Sequence, residues 1–243
     1  MEFKKKTLET QIIEIFQKIS PAITRLIQST MNNDKIVLNL GKTISKNKNE
    51  ININPSILVN SVSDSDLEFK EVVIGTVIHE AIHSMEDYKF DLDKDLSKFK
   101  DETDGLSDID EVLEVLSGPF GKYIFEILVH SFEEYKFVKD FKGLRSILQD
   151  IYEESSINIK NLKPFNKFLI LMFHSIAGYI EIDLQAYPKN IKESVRETLA
   201  ILSNFSYDRE LVEDTIEITI QIADICRRYN LLPDVDSQTL GER

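Results

Sequence analysis

The chain has no tryptophan, one cysteine, four histidines, six prolines and eight glycines in 243 residues. With Cys226 alone no intramolecular disulfide can form, so the cysteine framework of a small secreted scaffold is excluded. Long apolar runs are missing too. The most apolar stretch, Phe168 to Phe173, is far shorter than a membrane span and is closed by His174 and Ser175. The opening MEFKKKTLETQIIEIF is basic but holds no uninterrupted apolar segment and no small-residue cleavage site, so no leader is expected. Neither a glycine-rich phosphate loop nor a G-x-S-x-G is present, and no internal repeat is visible.

Positive charge is also scarce: 29 Lys and Arg face 42 Asp and Glu, a net charge of −13. A phosphate backbone needs clustered cations, so nucleic acid is not the expected partner. The acidic excess is densest around residues 86 to 114 and reads as solvated surface. What is present suffices for a folded core, with 42% hydrophobic and 29% charged residues. The expected setting is a reducing, aqueous one: the cytoplasm, or host cytoplasm or virion if the source is viral. Heavy use of Ile, Lys and Asn fits an AT-rich genome.

Hydrophobic periodicity gives an α+β chain that is mainly α. Leu8, Ile12, Ile15, Phe16, Ile19, Ile23, Leu26 and Ile27 form a helical stripe, which Ser20-Pro21 is expected to kink or divide. KIVLNL (35 to 40) alternates as a strand, 41 to 49 reads as a polar turn region, and ININP reads as a second strand with Ile51 and Ile53 on one face. Pro55 cannot donate to a ladder, so that strand ends there or lies at an edge. A helix follows from about Asp66 to Tyr88, led by Ser65 and Glu68 as a capping box. Residues 91 to 110 read as acidic loop with little part in the core. Further helices are expected near 109 to 117, 120 to 141, 143 to 156, 164 to 184, 189 to 205 and 208 to 230. The helix over 164 to 184 is apolar nearly all round, so it should be the buried centre of its half. Three regions follow: a core over 1–142, a helical region over 143–233, and a flexible tail over 234–243.

The helix over 66 to 88 carries His79-Glu80-Ala81-Ile82-His83, an H-E-x-x-H. Residues four apart share a helix face, so both imidazoles can point at one ion, with Glu80 about 100° round. Two neutral imidazoles suit Zn²⁺ and leave room for a third protein ligand and a water. The adjacent carboxylate is placed to act as general base on that water and to pass the proton to a leaving nitrogen. Val73, Val77, Ile78 and Ile82 set the motif inside a helix. Gly75, one turn before His79, leaves room for a close approach of backbone or substrate. The preceding strand offers an edge with which an extended peptide could pair.

The third ligand is sought in VHSFEEYKF, residues 129 to 137. Glu134 lies nearer the apolar face carrying Tyr123, Ile127, Phe137, Val138 and Phe141, and Glu133 lies nearer the polar side. His130 neighbours either and reads as a cleft residue beside the ligands. Asp87, one turn past His83, is a weaker alternative. His174 reads as a core histidine with hydrogen-bonded nitrogens, and Cys226 as a small buried hydrophobe. Tyr88, Tyr123 and Tyr135 are candidate oxyanion donors, though tyrosines at helical spacing are usually packing.

The order ININPSILVNSVSDSDLEFKEVVIGTVIHEAIHSM resembles the metallopeptidase domains of bacteria and their phages, gluzincin-like zincins of the von Willebrand A-associated type. In that family a strand ending in Asn-Pro leads to a polar cap, an H-E-x-x-H helix and a later helix with an acidic pair. Asn54-Pro55, Ser65, His79, Glu80 and His83 match in order, and Phe132-Glu133-Glu134-Tyr135-Lys136 matches the later element. Glu134 and Lys136 replace the family's Asp and Arg, and His130 stands in place of an Asn. The resemblance covers roughly residues 35 to 140. It implies a zincin-like core, a small β-sheet on the H-E-x-x-H helix, with a C-terminal helical extension. It also implies a Zn²⁺ cofactor, a peptide or protein substrate and Glu133 as third ligand.

The expected function is therefore a zinc metallopeptidase. His79, His83 and one of Glu133 or Glu134 would hold the metal, with Glu80 as base. The rival expectation is a catalytically inactive zincin scaffold, an interaction or virion-structural protein docking a protein partner through the C-terminal helices.

Overall fold

The computed structural model describes residues 7–30, 33–41, 45–47, 49–63, 67–83, 97–103, 105–106, 108–156, 159–179, 182–204 and 212–233. They are mainly helical with one small sheet. Two compact units contain them, one over 1–87 and 137–155, the other over 88–136 and 156–243.

In the first unit, helix α1 (Leu8–Thr30) buries Ile12, Phe16, Ile23 and Ile27, the predicted stripe. Pro21 lies inside α1, so of the two expectations, a kink or a division, the division does not occur. A proline removes one backbone donor there, and an apolar face that long holds the helix on both sides of the gap. Gln28 then clamps the chain as it leaves α1, its Nε2 donating to the carbonyls of Asp34 (3.0 Å) and Ile36 (2.7 Å).

Strands β1 (Val37–Leu40), β2 (Ser45–Asn47) and β3 (Glu50–Ile53) form a sheet in the order β1-β3-β2. β1 and β3 are parallel, with Leu38 opposite Ile51 and Leu40 opposite Ile53. β2 returns antiparallel to β3, Ser45 opposite Asn52. Ile36, Leu38, Ile51 and Ile53 are buried, which is the alternation read from the sequence. Two expectations fail. The polar stretch after Gly41 contains a strand, and β3 is paired on both sides, so it offers no edge to a peptide. Pro55 ends β3 as expected and opens a helix not foreseen, α2 (Pro55–Ser63). Its start has a local cause: Asn54 Oδ1 accepts from Ser56 N at 2.9 Å, and proline fits the first helical position.

Helix α3 (Phe69–His83) carries the H-E-x-x-H motif. Glu68 supplies the backbone carbonyl that accepts from the amides of Glu71 (2.8 Å) and Val72 (3.2 Å), so the helix starts after it. Ser65 and residues 84–96, hence the expected end of this helix, lie outside the described residues. Val72, Val73, Thr76, Val77, Ile78, Glu80, Ala81 and Ile82 are all buried, so α3 is enclosed on nearly every side. It packs on α1, α2 and β3.

In the second unit, residues 97–103 form a short 3₁₀ turn and α4 (Lys100–Thr103). Phe99, Leu106 and Ile109 pack on a cluster of Val112, Leu113, Phe125, Val129 and Ile216, so this acidic stretch does contribute to a core. α5 (Ile109–Ser117) is capped by Asp108, whose Oδ1 accepts from Asp110 N at 2.7 Å, and stops at Gly118 with φ 65°. α6 (Gly121–Asp140) follows, its last residues from 137 belonging to the first unit. α7 (Arg145–Ser156) belongs to the first unit up to residue 155.

α8 (Pro164–Ala177) buries Phe165, Phe168, Leu169, Leu171, Met172 and Phe173, as its all-round apolarity requires. It ends at Ala177, seven residues before the predicted 184, with Gly178 as its cap. Gly178 adopts φ 70° and its amide donates to His174 O at 3.0 Å, a left-handed cap that terminates the helix whatever the hydropathy beyond it. α9 (Lys189–Leu202) and α10 (Val212–Arg228) complete the unit, packed with α8 around a core that includes Cys226. Among the described residues no helix is long and apolar enough to cross a membrane. The tail over 234–243 lies outside them.

Candidate metal centre

His79 sits on the penultimate turn of α3 and is partly exposed. One turn earlier, Gly75 is where α7 packs against α3: a Cβ there would meet Ile151 Cδ1 at 2.0 Å and Ile147 Cγ2 at 3.2 Å. The space foreseen at this glycine is thus filled by a neighbouring helix, not by substrate. Next to Ile151 on α7, the Tyr152 hydroxyl lies 2.7 Å from His79 Nδ1, with the rings edge-to-face at 5.9 Å and 74°. Nothing in the sequence separates Tyr152 from the other tyrosines; only the docking of α7 does.

Glu80 is 4% exposed. It is a buried carboxylate next to the motif's first histidine, on a face that also buries Thr76, Val77 and Ala81. The side chain of His83 lies outside the described residues, as do Asp87 and Tyr88.

On α6 the two glutamates part as the periodicity predicts. Glu134 is fully buried, whereas the Glu133 side chain is 28% exposed and faces Lys136 Nζ at 3.8 Å. One turn before Glu134, His130 is buried, with Nε2 3.8 Å from Glu134 Oε2. Its ring stacks on Phe173 of α8 at 5.3 Å and 9°, which fixes the plane of the imidazole. His174, the next residue along α8, is buried beside them. Burial pulls its imidazole down to about 4 from the ordinary 6.5, while the Glu134 charge works the other way. His174 is thus neutral near pH 7. Tyr123, named as a candidate oxyanion donor or a packing residue, packs edge-on to Phe165 at 6.0 Å.

Among the described residues, His130 and Glu134, one turn apart on α6, put an imidazole and a carboxylate side by side in the second unit, and His79 carries the motif imidazole in the first. His79 and Glu134 are two of the residues expected from the sequence. His130, read as a neighbour of either glutamate, lies beside Glu134, while Glu133, nominated by the resemblance, faces Lys136. The signal for His130 was its spacing: a histidine four residues before a glutamate places both on one helix face. Two imidazoles and a carboxylate suit Zn²⁺ and leave a fourth position open. No protein-family model, curated protein or solved structure matches the chain.

Proposed function

We propose that the chain is a zinc-dependent metallopeptidase with a zincin-like core. Its metal would be held by His79, Glu134 and a second imidazole, that of His130 or His83. The observation that carries the reading is the buried pair His130 and Glu134 on α6, an imidazole and a carboxylate 3.8 Å apart on the later helix where the H-E-x-x-H sequence calls for a further ligand. Bound there, zinc would polarise a carbonyl and acidify a water. The chain's own residues supply the rest. Glu80, adjacent to His79 and shielded from bulk water, takes the proton of the attacking water and returns it to the leaving amine. Tyr152 orients His79, and the Phe173 ring orients His130.

The burial of Glu80 also favours a second reading, a zincin scaffold that binds metal but admits no substrate, with a protein partner at the C-terminal helices.

Elemental analysis of the purified full chain, with hydrolysis of an unfolded protein, tests both. The peptidase reading expects stoichiometric zinc, hydrolysis by the wild type, and a Glu80→Gln variant that keeps the metal but loses hydrolysis. Zinc without hydrolysis favours the scaffold. A chain that purifies without metal and does not take up added zinc overturns both.

A further inference from the structure

We propose that Tyr152 is the positioning residue of the metal centre, accepting the Nδ1 proton of His79 so that Nε2 faces the metal. This rests on the metal reading above and adds to it a residue outside the motif, on α7. A neutral imidazole has one N–H and one lone pair, and the partner of one nitrogen decides which the other carries. The Tyr152 hydroxyl, 2.7 Å from Nδ1, occupies that nitrogen and leaves Nε2 as the ligand atom. Ligation through Nε2 requires the proton on Nδ1, where the Tyr152 oxygen accepts it. A ligating histidine needs such a partner to hold ring orientation and raise basicity.

Tyrosine also differs here from a carboxylate. A carboxylate only accepts, so it imposes the ligand tautomer permanently. A hydroxyl can accept from Nδ1–H or donate to a bare Nδ1, so the same contact satisfies His79 with or without metal. The contact is set by packing rather than by local sequence. Gly75 lets Ile147 and Ile151 of α7 lie against α3, which brings the neighbouring hydroxyl to His79.

The test is Tyr152→Phe in the full chain, which removes one oxygen and keeps the ring. Zinc affinity is read by chelator competition, the site by the visible spectrum of the Co²⁺-loaded protein, and the fold by thermal unfolding of the metal-free chain. The expected result is roughly a 10- to 100-fold weaker affinity and an altered Co²⁺ spectrum, with an unchanged metal-free melting temperature. Equal affinity and an unchanged spectrum overturn the role of Tyr152 and leave the metal reading standing. A wild type that binds no zinc removes the metal reading itself. Should the variant fail to fold, ¹⁵N shifts of His79 in the zinc-loaded wild type decide. A protonated, hydrogen-bonded Nδ1 supports the assignment, and zinc on Nδ1 overturns it.

Discussion

The Tyr152 hydroxyl stands 2.7 Å from His79 Nδ1, and Gly75, one turn before His79, is what allows it. A helical glycine costs about 1 kcal/mol relative to alanine, so alanine at 75 would be favoured by propensity alone. Packing opposes it, because the new Cβ would lie 2.0 Å from Ile151 Cδ1. The Ile151 tip can rotate, but Ile151 Cγ1 and Ile147 Cγ2, each 3.2 Å away, stay close, so overpacking at about 1–3 kcal/mol is expected to exceed the propensity gain by a modest margin.

Gly75→Ala is therefore expected to lower stability by about 1 kcal/mol. Ile151→Val removes Cδ1, the atom in the way. The double variant should be at least as stable as Gly75→Ala alone, even though Ile→Val by itself costs about 0.5–1.5 kcal/mol in a core. Urea unfolding of the four members of the cycle measures this. Simple additivity would show that the two positions do not meet.

Glu133 and Glu134 are adjacent in sequence, and their environments separate them. Glu134 is fully buried with His130, whereas Glu133 is partly exposed beside Lys136. Glu134→Gln is expected to weaken zinc binding tenfold or more, about 1.4 kcal/mol. Glu133→Gln should leave it within about twofold, since an exposed pair of this kind contributes about 0–1 kcal/mol. In the wild type, binding should release protons and weaken on acidification, because the ligands must be deprotonated. Chelator competition on both variants checks the contrast. Equal losses would mean that the fold does not distinguish them.

These residues show where the sequence was legible. Alternation at Ile36, Leu38, Ile51 and Ile53 gave the β1–β3 pair, because burial on one face imposes a period of two. The same logic put Glu134 nearer the apolar face than Glu133. β2 was hidden because Ser45-Lys46-Asn47 has no apolar period, and its pairing to β3 is a tertiary fact. The hairpin in turn made β3 central and removed the edge expected of it. α2 was signalled by Asn54-Pro55, a cap followed by a proline at the first helical position, yet the proline was read only as ending the strand or placing it at an edge. Tyr152 could not be found in advance, since its partner lies 73 positions away.

A second glycine makes a sharper test of packing. Gly121 opens α6, and a Cβ there would lie 2.4 Å from the carbonyl oxygen of Leu113 and 3.0 Å from Ser117 Cβ. The obstacle is backbone within α5, which cannot rotate away as the tip of Ile151 can. Gly121→Ala is expected to cost about 2–3 kcal/mol, and at about 2–4 °C per kcal/mol for a chain this size the melting temperature should fall by several degrees. Gly143 has nothing within 4 Å of its Cβ position and is the control. There alanine should be neutral or stabilise by up to about 1 kcal/mol. Melting curves for the two variants decide, and indistinguishable curves would contradict the close approach of α5 and α6.

Cys226 is fully buried in the core of the second unit. Burial raises its thiol from the ordinary 9.0 to about 12, with the Arg227 charge pulling weakly the other way. The folded chain thus holds this proton more tightly than the unfolded chain does. The stability that follows is complete below pH 9 and is lost as pH rises from 9 toward 12, with a slope of at most about 1.4 kcal/mol per pH unit. Only the thiolate attacks, so a thiol reagent at pH 8 should label the native protein very slowly and the urea-unfolded protein at the rate of a free cysteine. Cys226→Ala should remove the alkaline loss attributable to this group, while costing some core packing at neutral pH. Labelling kinetics with and without urea, and urea melts at pH 8 and 10, measure both effects. Rapid labelling of the native chain would mean that the α8–α9–α10 core opens far more readily than its packing implies.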